Sequence, residues 1–243
     1  MKRPFKTILI TAGVIAGIIF ILIGAVFAKY YYEVSKMAPI PSGEVREGVI
    51  AIQDEYVNFY LVRGEDGYVA FDAGYKKDNV EKELKKLNID PRQVKAVFLT
   101  HTDLDHVGAL PLFVNARVFI SDQEEQMVNG ETSRFFGLMK NSLPVRYELV
   151  RDSNTVEIAG VEVEGIWTPG HTPGSICYLV NWKHLFTGDN MSLKDGKAEP
   201  FNEFFNMDSK MQGKSLAKLK DYPEVQFVYT AHYGQTENSW CFQ

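Results

Sequence analysis

The stretch Thr100-His101-Thr102-Asp103-Leu104-Asp105-His106 decides how this chain is read. Two imidazoles and two carboxylates follow directly on the apolar run from Val94 to Thr100, which has the composition of a buried strand. Ligands gathered in one tight turn at a strand end need little long-range ordering, and that lowers the cost of building a metal site. A single histidine in a core is usually just packed. Here the chain has five histidines, and His101, His106, His171 and His232 all stand beside glycines or carboxylates at the ends of strand-like runs.

Outward from that stretch, Thr168-Pro169-Gly170-His171-Thr172-Pro173-Gly174-Ser175 is a loop stiffened by prolines and glycines that presents His171. Leu185 to Thr187 reads as a strand that delivers Asp189 through Gly188, and Val225 to Thr230 as a strand that delivers His232. A carboxylate at 189 can bridge two cations, which an imidazole cannot do. Asp72 closes the strand-like Tyr68 to Phe71 before Gly74 and is expected to hydrogen-bond a ligand rather than touch a metal. The remaining elements follow the same grammar. Strands are expected at Val49 to Gln53, Val57 to Arg63, Ala116 to Ile120, Val145 to Val150, Val156 to Ile158, Val161 to Trp167 and Ile176 to Val180. Helices are expected at Asn79 to Leu87, where Val80, Leu84 and Leu87 form one stripe, near Asp122 to Val128, and at Ser209 to Leu219. The element order implies two β-rich halves facing each other with helices outside. Lys183-His184 reads as a turn at a strand edge, with no role for that fifth histidine.

The N-terminus differs from the rest. Basic residues Lys2, Arg3 and Lys6 precede an uncharged apolar run from Ile8 to Ala28, long enough as a helix to cross a hydrocarbon core of about 30 Å. A cleaved signal peptide, ending at Val26-Phe27-Ala28, competes with an uncleaved signal anchor; the length of the run favours the anchor. The excess of basic residues before the run expects a single-pass membrane protein, N-terminus cytoplasmic and the remainder outside, with Tyr30, Tyr31 and Tyr32 in the interfacial belt. Gly13 and Gly17 have the small-residue spacing of a weak helix homodimer, although glycine is common in membrane helices anyway. Residues 1–32 are thus read as the anchor, 33–46, with Pro39, Pro41 and Gly43, as a tether, and 47–243 as the folded domain. The chain carries a net charge of −5, and residues 1–32 contain four basic residues and no acid, so the remainder is more acidic still. That disfavours nucleic acid as a partner. Cys177 and Cys241 are too few for a disulfide framework.

His101, Asp105, His106, His171, Asp189 and His232, in this order and spacing, resemble the metallo-β-lactamase superfamily over residues 47 to 235. The resemblance implies an α/β four-layer αββα sandwich with a dinuclear site between its sheets. It assigns His101, the residue at 103 and His171 to one cation, and Asp105, His106 and His232 to the other, with Asp189 bridging. The implied cofactor is two divalent metal ions, zinc first, with iron or manganese as alternatives. The implied activity is a membrane-anchored metal-dependent hydrolase that uses a metal-bridged hydroxide on an ester, lactone, thioester, amide or phosphodiester, with Asp105 orienting the nucleophile and shuttling a proton. Aspartate rather than cysteine at 189 resembles the glyoxalase II, lactonase and phosphodiesterase side of the superfamily.

One residue departs from the family's His-x-His-x-Asp-His pattern: Asp103 stands where the second histidine is usual. An added carboxylate lowers the net charge of a two-cation centre, which predicts a less acidic bound water, a preference for harder metals and a weakly held first position. It also leaves a diiron oxidoreductase of the flavodiiron type, or a non-catalytic metal-binding or sensory module, as alternatives. Phe201, Phe204 and Phe205 are read either as a wall of the substrate groove or as packing.

Overall fold

Period-two alternation sorts the two faces of the sheets. The computed structural model describes residues 3–134, 137 and 139–237, with the side chains of residues 3–7 and 9 excepted. Lys2 and Cys241 lie outside the described residues. The chain divides into two units, Met1–Met37 and Ala38–Gln243.

The first unit is helix α1, Arg3–Val34, of which Ile10–Val34 is long and apolar enough to cross a membrane. Its side chains from Ile10 through Phe20 to Tyr31 are exposed around the whole circumference. A helix that is apolar on every side needs an apolar surrounding.

The second unit begins with a seven-stranded sheet in sequential order: β1 Gly43–Arg46, β2 Val49–Asp54, β3 Val57–Arg63, β4 Tyr68–Phe71, β5 Val94–Phe98, β6 Arg117–Ser121 and β7 Glu148–Val150. The first four pair antiparallel and the last four parallel. Parallel pairing requires a crossover, and α2, Lys77–Lys86, supplies one between β4 and β5. Two one-turn helices follow, α3 Leu104–Val107 after β5 and α4 Glu125–Asn129 after β6.

The second sheet contains β8 Thr155–Ile158, β9 Val161–Trp167, β10 Ile176–Val180 and β11 His184–Gly188; a separate hairpin, β12 Met191–Lys194 with β13 Lys197–Pro200, then intervenes. Helix α5, Ser209–Leu216, leads to β14 Phe227–Thr230 and β15 Gly234–Glu237, and the sheet order is β15-β14-β11-β10-β9-β8.

Alternation along β2 shows how the layers are made. Val49 and Ala51 join Tyr60, Phe71 and Phe98 against Tyr178, Phe186 and Tyr229 of the second sheet, while Ile50 and Ile52 face the other way onto Val80 and Leu84 of α2. A third cluster packs Leu179, Leu185 and Val228 against Leu216 of α5 and Leu219. The result is the four-layer αββα order expected from sequence. Val80 and Leu84, both fully buried, contribute roughly 1.5–3 kcal/mol each to holding α2 on its sheet.

Several boundaries differ from expectation. Helix α1 runs to Val34, and the second unit starts at Ala38, so residues read as a tether belong largely to one unit or the other. Strand β1 lies within that stretch and pairs with β2, because backbone hydrogen bonding to an existing strand outweighs the turn-forming prolines before it. The hairpin β12–β13 and strand β15 were not expected. His184 is not in a turn but opens β11, where its Nδ1 lies 2.9 Å from the Tyr229 hydroxyl and its ring stacks on Phe227.

Candidate metal centre

Loops at the strand ends of both sheets meet at the same edge of the sandwich. His101 is the third residue after β5, and Asp103 precedes the single turn of α3, which carries Asp105 and His106. His171 comes from the loop between β9 and β10, Asp189 from the end of β11, and His232 from the end of β14. Gly188 allows the last step: at φ +52°, a Cβ there would stand 2.1 Å from Thr100 Oγ1, so β11 approaches the His101 loop through the absence of a side chain.

Each of the four imidazoles is held from behind through Nδ1. Thr100 Oγ1 lies 3.1 Å from Nδ1 of His101, Asp72 Oδ2 lies 2.9 Å from that of His106, Asn206 Oδ1 lies 3.2 Å from that of His171, and the Tyr56 carbonyl lies 2.7 Å from that of His232. All four Nε2 atoms are thereby turned inward. Outer partners of this kind fix the tautomer and orientation of metal-binding histidines. Asp72 carries the most: its carboxylate also accepts from the Thr100 backbone N–H at 2.8 Å and from the Thr100 hydroxyl. Its backbone sits at φ +64°, unfavourable for a non-glycine residue and offset by these bonds.

The inward atoms form three overlapping sets within which ligand atoms lie no more than 4.8 Å apart: His101, Asp103 and His171; His101, His106 and Asp189; and Asp105, His106 and His232. Asp189 links them, with Oδ1 3.0 Å from His232 Nε2 and 3.4 Å from His106 Nε2, and Oδ2 3.4 Å from His171 Nε2. Three of these atoms, His101 Nε2, His106 Nε2 and Asp189 Oδ1, are buried without a hydrogen-bond partner. Buried polar atoms left so cost roughly 1–3 kcal/mol each. A bound cation would satisfy such atoms, so the donor set fits a metal.

The electrostatics agree. Burial opposes a charge on His106, yet the carboxylates of Asp72, Asp189 and Asp105 outweigh it and raise the imidazole well above its ordinary value. His232 is raised too, against its burial, mainly by Asp189. Asp189 is held well below the usual carboxylate range, where His232, His106 and His171 overcome its burial. A field negative enough to draw protons onto these rings draws a divalent cation as well.

Asp103 stands apart. Burial raises its carboxyl, but hydrogen bonding with His101 and His171 and the charge of Arg134 prevail and hold it well below the usual range. Arg134 was not anticipated from sequence. Its Nη2 lies 2.7 Å from Asp103 Oδ2 and 3.0 Å from His171 Nε2, and Asn141 Nδ2 donates to Asp103 Oδ1 at 3.1 Å. Burial, with Arg134 next, lowers His171 to about 4. The expectation that Asp103 lowers the net charge of the centre therefore needs correcting, because a guanidinium beside it restores that charge. The only signal in the sequence was the demand itself: a carboxylate at a customarily neutral position calls for a counter-charge.

Glu124 also escaped notice. It is buried where it accepts from the backbone N–H and hydroxyl of Thr102 at 2.8 and 2.7 Å and from the Thr172 hydroxyl at 2.6 Å, tying the His101 loop to the His171 loop. Burial raises its carboxyl above the ordinary value. Of the three aromatics read as wall or packing, Phe201 is buried with its ring over His232 and edge-on to His171, whereas Phe204 is exposed. Cys177 lies buried in β10, with the Thr168 hydroxyl 3.3 Å from its sulfur.

Comparison with known proteins gives a consistent picture. The family model described as the metallo-beta-lactamase superfamily matches residues 52–232. A probable polyketide biosynthesis zinc-dependent hydrolase of Bacillus velezensis is 32% identical over 130 residues, 53% of this chain and 52% of the relative. A probable metallo-hydrolase of Methanocaldococcus jannaschii is 29% identical over 153 residues, 63% of this chain and 64% of the relative. The chain thus spans between half and two thirds of these curated relatives. Among solved structures, a metallo-beta-lactamase with a HARLDQ motif from Cronobacter sakazakii superposes with a TM-score of 0.63 at 22% identity, covering 81% of this chain and 79% of that one. A metallo-beta-lactamase family protein of Thermus thermophilus gives 0.60 at 21% identity, covering 80% and 76%.

Proposed function

The chain belongs to the metallo-beta-lactamase superfamily, and from that premise we propose that it is a metal-dependent hydrolase of a small molecule with an ester, lactone, thioester, amide or phosphodiester bond. The observation that carries the reading is the convergence of four inward Nε2 atoms on Asp105 and Asp189, with three buried atoms unpartnered. Asp105, His106, His232 and Asp189 would hold a divalent cation, zinc first, with iron or manganese as alternatives; His101, Asp103 and His171 are the adjoining set, which Arg134 enters. When bound, such a cation supplies Lewis acidity, acidifying a water and offsetting charge on the attacked oxygen.

The chain's own groups do the remainder. Asp105, partly open to solvent, orients the attacking water, takes its proton on a carboxylate oxygen and returns it to the leaving group. Asp72 keeps the His106 ring aimed inward. Phe201 shields the His232 ring from water on the side it covers. The zinc-dependent hydrolase named among the relatives supports the same reaction class.

A panel of chromogenic esters, lactones and phosphodiesters tests the reading. Turnover is expected to vanish on chelation and return with added zinc, and His106→Ala is expected to lower kcat/KM at least about 10³-fold, the scale of losing a principal transition-state contact. Turnover indifferent to both would contradict it.

We further propose that α1 anchors the protein in a membrane with its N-terminus cytoplasmic, and that Gly13 and Gly17, four residues apart on one helix face, permit weak pairing of two such helices. The full-length protein is then expected to stay in the membrane pellet after an alkaline carbonate wash; release into the supernatant would contradict anchoring.

A further inference from the structure

We infer that Arg134 itself supplies the positive charge at the first ligand set, so that the chain binds one divalent cation, at Asp105, His106, Asp189 and His232. This rests on the reading of the site as a cation site.

His101, Asp103 and His171 offer three ligand atoms to a cation, and the guanidinium already uses two of them. Arg134 Nη2 stands 3.0 Å from His171 Nε2 and 2.7 Å from Asp103 Oδ2. With Nδ1 of His171 turned to Asn206, Nε2 is the ring's inward acceptor, and a lone pair that accepts an N–H cannot ligate a metal at the same time. The arginine is fixed in place from other directions as well. Its Nη1 donates to the Phe205 carbonyl at 2.7 Å, its Nη2 to the His171 carbonyl at 3.1 Å, and its Nε lies 3.3 Å from Asp103 Oδ1.

Chemistry makes the pair mutually necessary. A guanidinium stays charged at any physiological pH and, being largely buried here, needs a carboxylate. Asp103 is the carboxylate with which it forms an ion pair among the described residues. A histidine at position 103 would leave the arginine without a counter-charge, and an empty position 134 would leave Asp103 uncompensated. Among the described residues no such intruder pairs with the second ligand set: the ion pairs and side-chain hydrogen bonds of Asp105, His106, Asp189 and His232 are to one another, to Asp72, to His171 and to the Tyr56 carbonyl. Two of the three unpartnered buried atoms, His106 Nε2 and Asp189 Oδ1, belong to this set.

Metal counting on the full-length protein in detergent tests this. After loading with excess zinc and desalting, elemental analysis is expected to give one equivalent per wild-type chain, two for Arg134→Ala, one still for His171→Ala and none for His106→Ala. Should Arg134→Ala fail to fold, the wild-type and His171→Ala counts decide. Two equivalents in the wild type, a folded Arg134→Ala variant that stays at one, or loss of the cation in His171→Ala overturns the inference alone. A wild type that binds no zinc, manganese or iron overturns the metal-dependent hydrolase as well.

Discussion

Histidines in this chain divide by what stands behind and before each ring. The four at the centre have a partner on Nδ1 and carboxylates around Nε2. His184 shares only the first: its Nδ1 meets the Tyr229 hydroxyl, but its ring stacks on Phe227, and among the described residues no carboxylate pairs with it. Burial, with the Lys183 and Arg46 charges next, lowers it from the ordinary 6.5 to about 4. The folded state therefore refuses a proton that the unfolded chain accepts. The stability contributed by the neutral ring is fully present above about 6.5 and is lost as the pH falls from there through about 4. Thermal unfolding of wild type and His184→Phe at pH 7.5 and 5 should show the steeper acid loss of Tm in the wild type; equal losses would contradict that account. Composition alone could not separate His184 from the other four. Its neighbours could, because it lacks the glycines and carboxylates that flank the rest.

Strands were legible in outline, and their ends less so. Val57–Arg63, Tyr68–Phe71, Val161–Trp167 and Ile176–Val180 fall where alternation and β-branched residues put them, since each is bounded by strong turn residues. The hairpin β12–β13 was hidden because Met191–Lys194 and Lys197–Pro200 have too few β-branched residues to announce a strand; pairing through the Asp195-Gly196 turn creates it. Strand β1 was hidden by the prolines before it and depends on β2 for its existence. Strand ends matter most where they set ligands, and Gly188 is the clearest instance. Gly188→Val would drive a side chain into Thr100, whose hydroxyl holds both Asp72 and His101. The expected outcome is a lowered Tm together with weakened zinc affinity, read by competition with a chromophoric chelator. A variant that loses stability but keeps its affinity would show that β11 does not position the site.

At the scale of the whole molecule, the centre is a joint property of two sheets that are separate in sequence. His101, Asp103, Asp105 and His106 come from the first, His171, Asp189 and His232 from the second, and Glu124 ties the loops of the two together. Ligand identity was readable from short motifs because each ligand sits at the end of its own strand. Arg134 was not, since it comes from an irregular stretch with no periodicity, and only the folded chain brings it to Asp103. Helix α1 is a separate unit, long and apolar enough to cross a membrane. X-ray absorption at the zinc edge of the loaded full-length protein tests the central claim most directly. The account predicts two imidazole nitrogens with carboxylate oxygens at about 2.0–2.2 Å, the signature of His106 and His232 with Asp105 and Asp189. A zinc shell without imidazole scattering, or one containing sulfur, would contradict it.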